Sequence, residues 1–238
     1  MQKLIAGVKG LGLELTSAQI EQFQIYYEEL TDWNRRINLT AITDYREVQI
    51  KHFLDSLTVS LAMPQPVPPG LKLIDVGSGG GLPGLPLKII FPQLSLTLLE
   101  STGKKAEFLK HLVGKLSLSG IEIITGRAEE VTHQADYREH FDAVVARGVA
   151  EMPVLVELTL PFCRIGGYLI AQKKSGIDQE LALSQKAMQL MGGSLAEVKE
   201  IKLPEFPDGR CLVLVKKVSA TPARYPRRAG MPAKRPFV

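Results

Sequence analysis

The chain is poor in cysteine. Two residues, Cys163 and Cys211, stand among 238 and form no CxxC pair. That excludes a disulfide framework and a thiolate metal site, and leaves two thiols suited to burial as small apolar groups. The four histidines, His52, His111, His133 and His140, have no ligand-like spacing, so no metal is expected. No apolar run approaches the roughly 20 residues that a bilayer crossing requires. The first dozen residues lack the apolar stretch and small-residue cleavage site of a secretory leader. These absences predict a soluble, cytoplasmic protein with no membrane partner. Acidic residues are missing from 216–238, which carry seven Lys and Arg, whereas the rest of the chain is about −3 by count. The net charge of +4 therefore resides in the C-terminal stretch. A basic run of one sign suits a polyanion, nucleic acid ahead of membrane.

What is present divides into zones. Residues 1–63 read as an N-terminal helical extension. Thr16 and Gln19 have the spacing of a capping box. Ile20, Phe23, Tyr27, Leu30 and Trp33 then recur at three- and four-residue intervals as one apolar helix face. A second helix is expected from Asp44, with Glu47 as box partner and Ile50, Phe53, Leu54, Leu57 and Leu61 as its buried stripe. The proline-rich residues 64–70 end it and read as a stiff linker. Residues 71–217 alternate in type. Strands are expected at Leu71–Val76, Leu96–Glu100, Ile121–Thr125, Ala143–Ala146, Tyr168–Gln172 and Leu212–Lys216, with helices at Lys104–Leu118 and Ile177–Met191. This predicts an α/β, doubly wound, mostly parallel sheet of Rossmann-like type. Residues 218–238, basic and rich in proline, predict an extended tail ordered only where it meets the body or a partner.

The strongest local signal is Asp75-Val76-Gly77-Ser78-Gly79-Gly80-Gly81-Leu82-Pro83-Gly84, directly after the first expected strand. Glycines there permit positive φ and let a ligand approach bare backbone. Ligands of open α/β sheets bind at the carboxyl ends of the strands, so a nucleotide-type cofactor is expected against the bare backbone of Gly77 and Gly79. Residues 79–84 also match GxGxxG, which keeps a dinucleotide oxidoreductase open. The spacing of Asp75 with Gly77, Gly79 and Gly81 is similar to motif I of S-adenosylmethionine methyltransferases. Glu100, at the end of the second expected strand, can accept from a ribose diol. Ala128 and Glu129, after the third, stand where an adenine edge would be read. Arg147, after the fourth, can hold a cofactor carboxylate or orient RNA.

Longer stretches are more specific. Trp33-Asn34-Arg35-Arg36-Ile37-Asn38-Leu39-Thr40, Lys51-His52-Phe53-Leu54-Asp55-Ser56-Leu57, the glycine turn, Leu98-Leu99-Glu100-Ser101, Arg127-Ala128-Glu129-Glu130, Ala146-Arg147-Gly148 and Tyr225 to Pro236 follow one another in order. Together they resemble the RsmG (GidB) family, bacterial 16S ribosomal RNA guanine-N7 methyltransferases; the Tyr225 to Pro236 stretch resembles the longer members. The resemblance implies a class I S-adenosylmethionine methyltransferase core at 71–217 behind the helical extension, with S-adenosyl-L-methionine as cofactor. It implies cofactor contacts at Gly77, Leu82, Glu100, Ala128, Glu129 and Arg147. It further implies 16S rRNA in the small ribosomal subunit as substrate. Guanine N7 carries a lone pair that needs no deprotonation. In keeping with that, the sequence has no Asn-Pro-Pro-Tyr after the fourth strand and no Pro-Cys nucleophile. His52, Asp55 and Arg147 are candidates to receive the base, and Arg227, Arg228 and Lys234 to meet phosphates, with Tyr225 stacking on a base. A small-molecule methyltransferase and a non-catalytic RNA-binding assembly factor with a retained cofactor pocket are the other readings.

Overall fold

The computed structural model describes residues 1–238. Its centre is a seven-stranded sheet: β1 (Lys72–Val76), β2 (Ser95–Glu100), β3 (Ile121–Thr125), β4 (Phe141–Arg147), β5 (Cys163–Lys173), β6 (Gly193–Ile201) and β7 (Arg210–Lys217). The strand order is β3-β2-β1-β4-β5-β7-β6. The first five strands pair in parallel, and β7 runs antiparallel to both of its neighbours. From β1 the chain steps outward through β2 to β3, then returns to lay β4 on the other side of β1. That reversal opens a crevice at the carboxyl ends of β1 and β4.

The central strands are continuous apolar runs because both faces of the sheet are covered. Alternation along β1 sends Leu73 to one face and Ile74 to the other. The Leu73 face packs under helices α1 (Gln2–Lys9) and α2 (Ser17–Asn34), the helical run 45–62, α5 (Gly84–Ile90) and α6 (Gly103–Lys115). The Ile74 face packs under α7 (Ala128–Val131), α8 (Met152–Thr159) and α9 (Asp178–Leu190). The helices of residues 1–62 thus share one hydrophobic cluster with the sheet. β6 has no strand signal in the sequence: Gly-Ser-Leu-Ala-Glu-Val-Lys-Glu-Ile is mostly exposed and carries three charges, which suits an outermost strand.

Several expectations are corrected. The capping box of α2 forms as read, but its inward face runs through Phe23, Tyr26 and Leu30. Tyr27 stands at the rim, edge-on to Tyr45, with its hydroxyl on the Thr43 carbonyl. Asp44 caps the second helix through the Arg46 and Glu47 amides, but Glu47 does not reach back; it pairs with Lys51 at 2.6 Å. This run is also not uniform. After α3 (Tyr45–Val48) comes a π-helical turn, Gln49–Leu54, then α4 (Asp55–Leu57) and a 3-10 turn, Thr58–Ala62. The change of pitch carries Leu61 off the buried stripe into solvent and turns His52, Asp55 and Ser56 inward. Finally, the basic C-terminal segment lies packed on the body and ends in a helical turn, α10 (Met231–Lys234). Tyr225 is buried against Phe237, 5.5 Å between ring centroids, so it is not offered to a base.

Candidate functional site

The glycine turn leaves β1 at the strand-order reversal and enters α5. Gly77, Gly79 and Gly81 have φ of +77°, +54° and +87°. At Gly81 the need for glycine is also steric: a Cβ would lie 2.5 Å from Leu85 Cδ1 and 2.8 Å from Tyr26 Oη. The Gly77 and Ser78 amides both donate to the Leu99 carbonyl of β2, at 2.8 and 3.1 Å, which ties the turn to the neighbouring strand. From the far side Tyr26 donates its hydroxyl proton to the Gly80 carbonyl at 2.6 Å. The turn is therefore clamped between the sheet and α2 before any ligand arrives.

Two buried carboxylates bracket it. Glu100 accepts from Gly79 N at 2.9 Å and from Thr102 N at 2.8 Å, one bond per oxygen. Each oxygen keeps a further lone pair, so the group can still accept from a diol. Asp75 is fully buried, and its Oδ2 accepts from Gly84 N at 2.9 Å. Its Oδ1 has no partner at all. Burial pushes the Asp75 carboxyl up to about 7, against the Gly84 N–H and the Arg147 charge; the Glu100 charge adds to the rise. Bare glycine backbone beside the spare lone pairs of Glu100 suits a ligand that carries a ribose.

Across the crevice, Arg147 ends β4. Its Nη1 donates to Asp55 Oδ2 and to the Lys51 carbonyl, both at 2.9 Å. Asp55 Oδ1 lies 3.5 Å from Arg210 Nε, so one carboxylate serves two guanidinium groups. Gln172, paired in register with Arg147, donates its amide to the Asp55 carbonyl at 2.6 Å, and its own Oε1 is unpartnered. His52 lies within the π turn, with Nε2 2.7 Å from Thr40 Oγ1 and Nδ1 3.0 Å from the Lys51 carbonyl. A carbonyl at Nδ1 requires that nitrogen to carry the proton, so Nε2 accepts from Thr40. Burial, then the Arg147 charge, push His52 down to about 4. The ring is neutral at pH 7 and both nitrogens are spent inside the fold.

Beyond Glu100, one strand further out, the Gly126 amide donates to the Glu100 carbonyl, and Ala128 and Glu129 open α7. The structure thus brings Gly77, Gly79, Leu82, Glu100, Ala128 and Glu129 along one edge of the sheet, and joins His52 and Asp55 to Arg147 beside it. The basic candidates divide. Arg228 and Lys234 are exposed, whereas Arg227 turns inward onto Glu157, a carboxylate with no solvent exposure, at 2.6 Å. Tyr26, Asp75, Gln172 and Arg210 were not singled out as site residues in sequence. Asp75 stands within the glycine motif and could have been; the other three carry no local signal. A cavity of about 780 Å³ lies at the opposite, amino-terminal edge of the sheet, beside Met63, Pro68, Leu71 and Tyr168. Its Asp142 is already paired with Lys72 N and Arg164, and it has no part in the crevice described above. No cluster of three or more His, Cys, Asp or Glu could hold a metal, and no helix is long and apolar enough to cross a membrane.

Comparison with known proteins agrees with this geometry. The model of the family described as GidB, rRNA small subunit methyltransferase G, matches residues 19–206. Ribosomal RNA small subunit methyltransferase G of Dehalococcoides mccartyi (strain ATCC BAA-2100) is 53% identical over 238 residues, covering 100% of both chains. Its counterpart in Roseiflexus castenholzii is 48% identical over 238 residues, again covering 100% of both. Among solved structures, precorrin-6y C5,15-methyltransferase from Geobacter metallireducens superposes with a TM-score of 0.51 at 14% identity, over 69% of this chain and 87% of that one, a likeness of fold.

Proposed function

The chain belongs to the GidB family of rRNA small subunit methyltransferases, and from that membership we propose that it methylates a guanine N7 of 16S rRNA, using S-adenosylmethionine. The observation that carries the proposal is the clamped glycine turn between Asp75 and Glu100, at the strand-order reversal of a sheet belonging to this family. The cofactor supplies an electrophilic methyl group on a positively charged sulfur. Glu100 would accept from its ribose hydroxyls, and Ala128 and Glu129 would read its adenine. Gly77 and Gly79 would meet its amino-acid end. Arg147 uses only Nη1 on Asp55 and Lys51, so its remaining donors are available to a carboxylate or to the RNA.

The residues around the target base hold and orient; they do not remove a proton. Neutral His52 has both nitrogens engaged, and Asp55 is committed to two arginines. A site without a free base suits a nucleophile with an in-plane lone pair, which needs only alignment at about 3–3.5 Å from the carbon it attacks. Arg228, Lys234 and Arg235, exposed on the C-terminal segment, would meet phosphates. Such a substrate places the protein in the cytoplasm. The test is labelled methyl transfer to small-subunit particles, followed by nucleoside analysis. Label in 7-methylguanosine is the expected result. Label in another nucleoside overturns the choice of N7. Transfer to small molecules alone, or RNA binding without transfer, overturns the enzyme's assignment to rRNA.

A further inference from the structure

We propose that the C-terminal segment Thr221–Gly230 is a positioning strap for the adenine side of the cofactor pocket, acting through Glu129. The proposal rests on the S-adenosylmethionine reading above. The strap is anchored bond by bond. Glu139 Oε1 accepts from Thr221 N at 2.6 Å. The Arg138 guanidinium donates to the carbonyls of Thr221, Pro222 and Tyr225 at 2.8, 3.1 and 2.9 Å. His133 Nε2 lies 3.1 Å from the Pro226 carbonyl. The buried Glu157 takes the Arg227 backbone N–H and Nε at 2.9 Å and Nη2 at 2.6 Å, while the Arg227 guanidinium sits 3.8 Å over the Phe237 ring.

These anchors lie on α8 and on residues 133–139, which directly follow α7. The segment therefore spans the elements that present Ala128 and Glu129. Its last bond is the telling one: Gly230, at φ +79°, donates its N–H to Glu129 Oε1 at 2.9 Å. Glu129 is only 8% exposed and sits in the first turn of a four-residue helix. The strap fixes one of its carboxylate oxygens and leaves Oε2 to the ligand. A segment serving only to solubilise the protein, or only to carry phosphate contacts, would not turn Arg227 away from solvent onto a fully buried acid.

If the docked strap strengthens cofactor binding, cofactor binding must strengthen docking by the same factor. Titration calorimetry of the full chain with S-adenosylmethionine tests the first direction. In the double variant Glu157→Gln, Arg227→Gln both charges go together, so no lone buried charge remains. Affinity should fall about tenfold, and methylthioadenosine, which has the adenosine but no amino acid, should lose the same factor. A folded variant binding within about twofold of the unaltered chain overturns the strap. Hydrogen exchange on the unaltered chain tests the second direction and needs no variant to fold. Saturating S-adenosylmethionine should slow exchange of the Arg227 and Gly230 amides; unchanged rates overturn the strap alone. An unaltered chain that does not bind S-adenosylmethionine overturns the cofactor reading, and the strap with it.

Discussion

Tyr26 touches the glycine turn through one hydrogen bond, its hydroxyl to the Gly80 carbonyl. Tyr26→Phe keeps the ring in the core and leaves that carbonyl without its donor. A loss of about 1–2 kcal/mol in urea unfolding is expected; no loss would mean that the bond is idle. His52 and Asp75 make opposite contributions to pH dependence. The unfolded chain protonates His52 near 6.5, but the folded one only near 4. Stability from this group is therefore present at neutral pH and is lost as pH falls from 6.5 toward 4. Asp75 is raised from 3.8 to about 7, so its contribution is complete below 3.8 and is lost as pH climbs to 7. Across the shared window the two slopes cancel in part. His52→Asn removes one of them. Relative to the unaltered chain, the variant should gain about 2 kcal/mol between pH 6.5 and pH 4.5, read by urea unfolding at both. An unchanged difference at the two values would show that His52 titrates freely.

At the scale of elements, the π turn adds a polar link between the N-terminal helices and β4 to the hydrophobic cluster they share with the sheet. A π-helical turn holds one residue more than an α turn and occurs often at functional sites. Here it presents the Lys51 carbonyl to Arg147, and Asp55 at its end takes the same guanidinium. Arg147 and Arg210 are mostly buried and share this one carboxylate. Asp55→Ala should therefore cost about 3–5 kcal/mol in stability, measured by denaturation. It should also loosen the α3–α4 run from β4, seen as faster amide exchange across residues 49–57. A cost under about 1 kcal/mol would mean that the pair behaves as a surface ion pair.

For the whole molecule, charge is the property that sequence exposes and folding redistributes. Seven basic residues close the chain, yet Lys217 is buried beside Glu139 and Thr221, and Arg227 is spent on Glu157. Lys216 and Arg224 remain exposed, as do the three nearest the end, Arg228, Lys234 and Arg235. Replacing all three with Gln should leave stability within about 0.5 kcal/mol. It should weaken rRNA binding and make its salt dependence shallower by about 0.7–0.9 in log–log slope per phosphate contact removed. An unaltered slope would exclude the segment from the RNA interface. The strands, the glycine turn and the uneven charge were legible in the sequence because each is written in adjacent residues: mainly apolar runs at 71–76 and 143–146, glycines at 77, 79 and 81, no acid after 215. The outer strand β6 was not, since its exposed, charged residues imitate a loop. Tertiary structure alone decided the meetings across distance, because no local pattern marks a residue by a partner far along the chain. Asp55 finds Arg147 across 92 residues, Tyr26 finds Gly80 across 54, and Gly230 finds Glu129 across 101. Each is fixed only when the packed layers leave a buried polar atom one place to go.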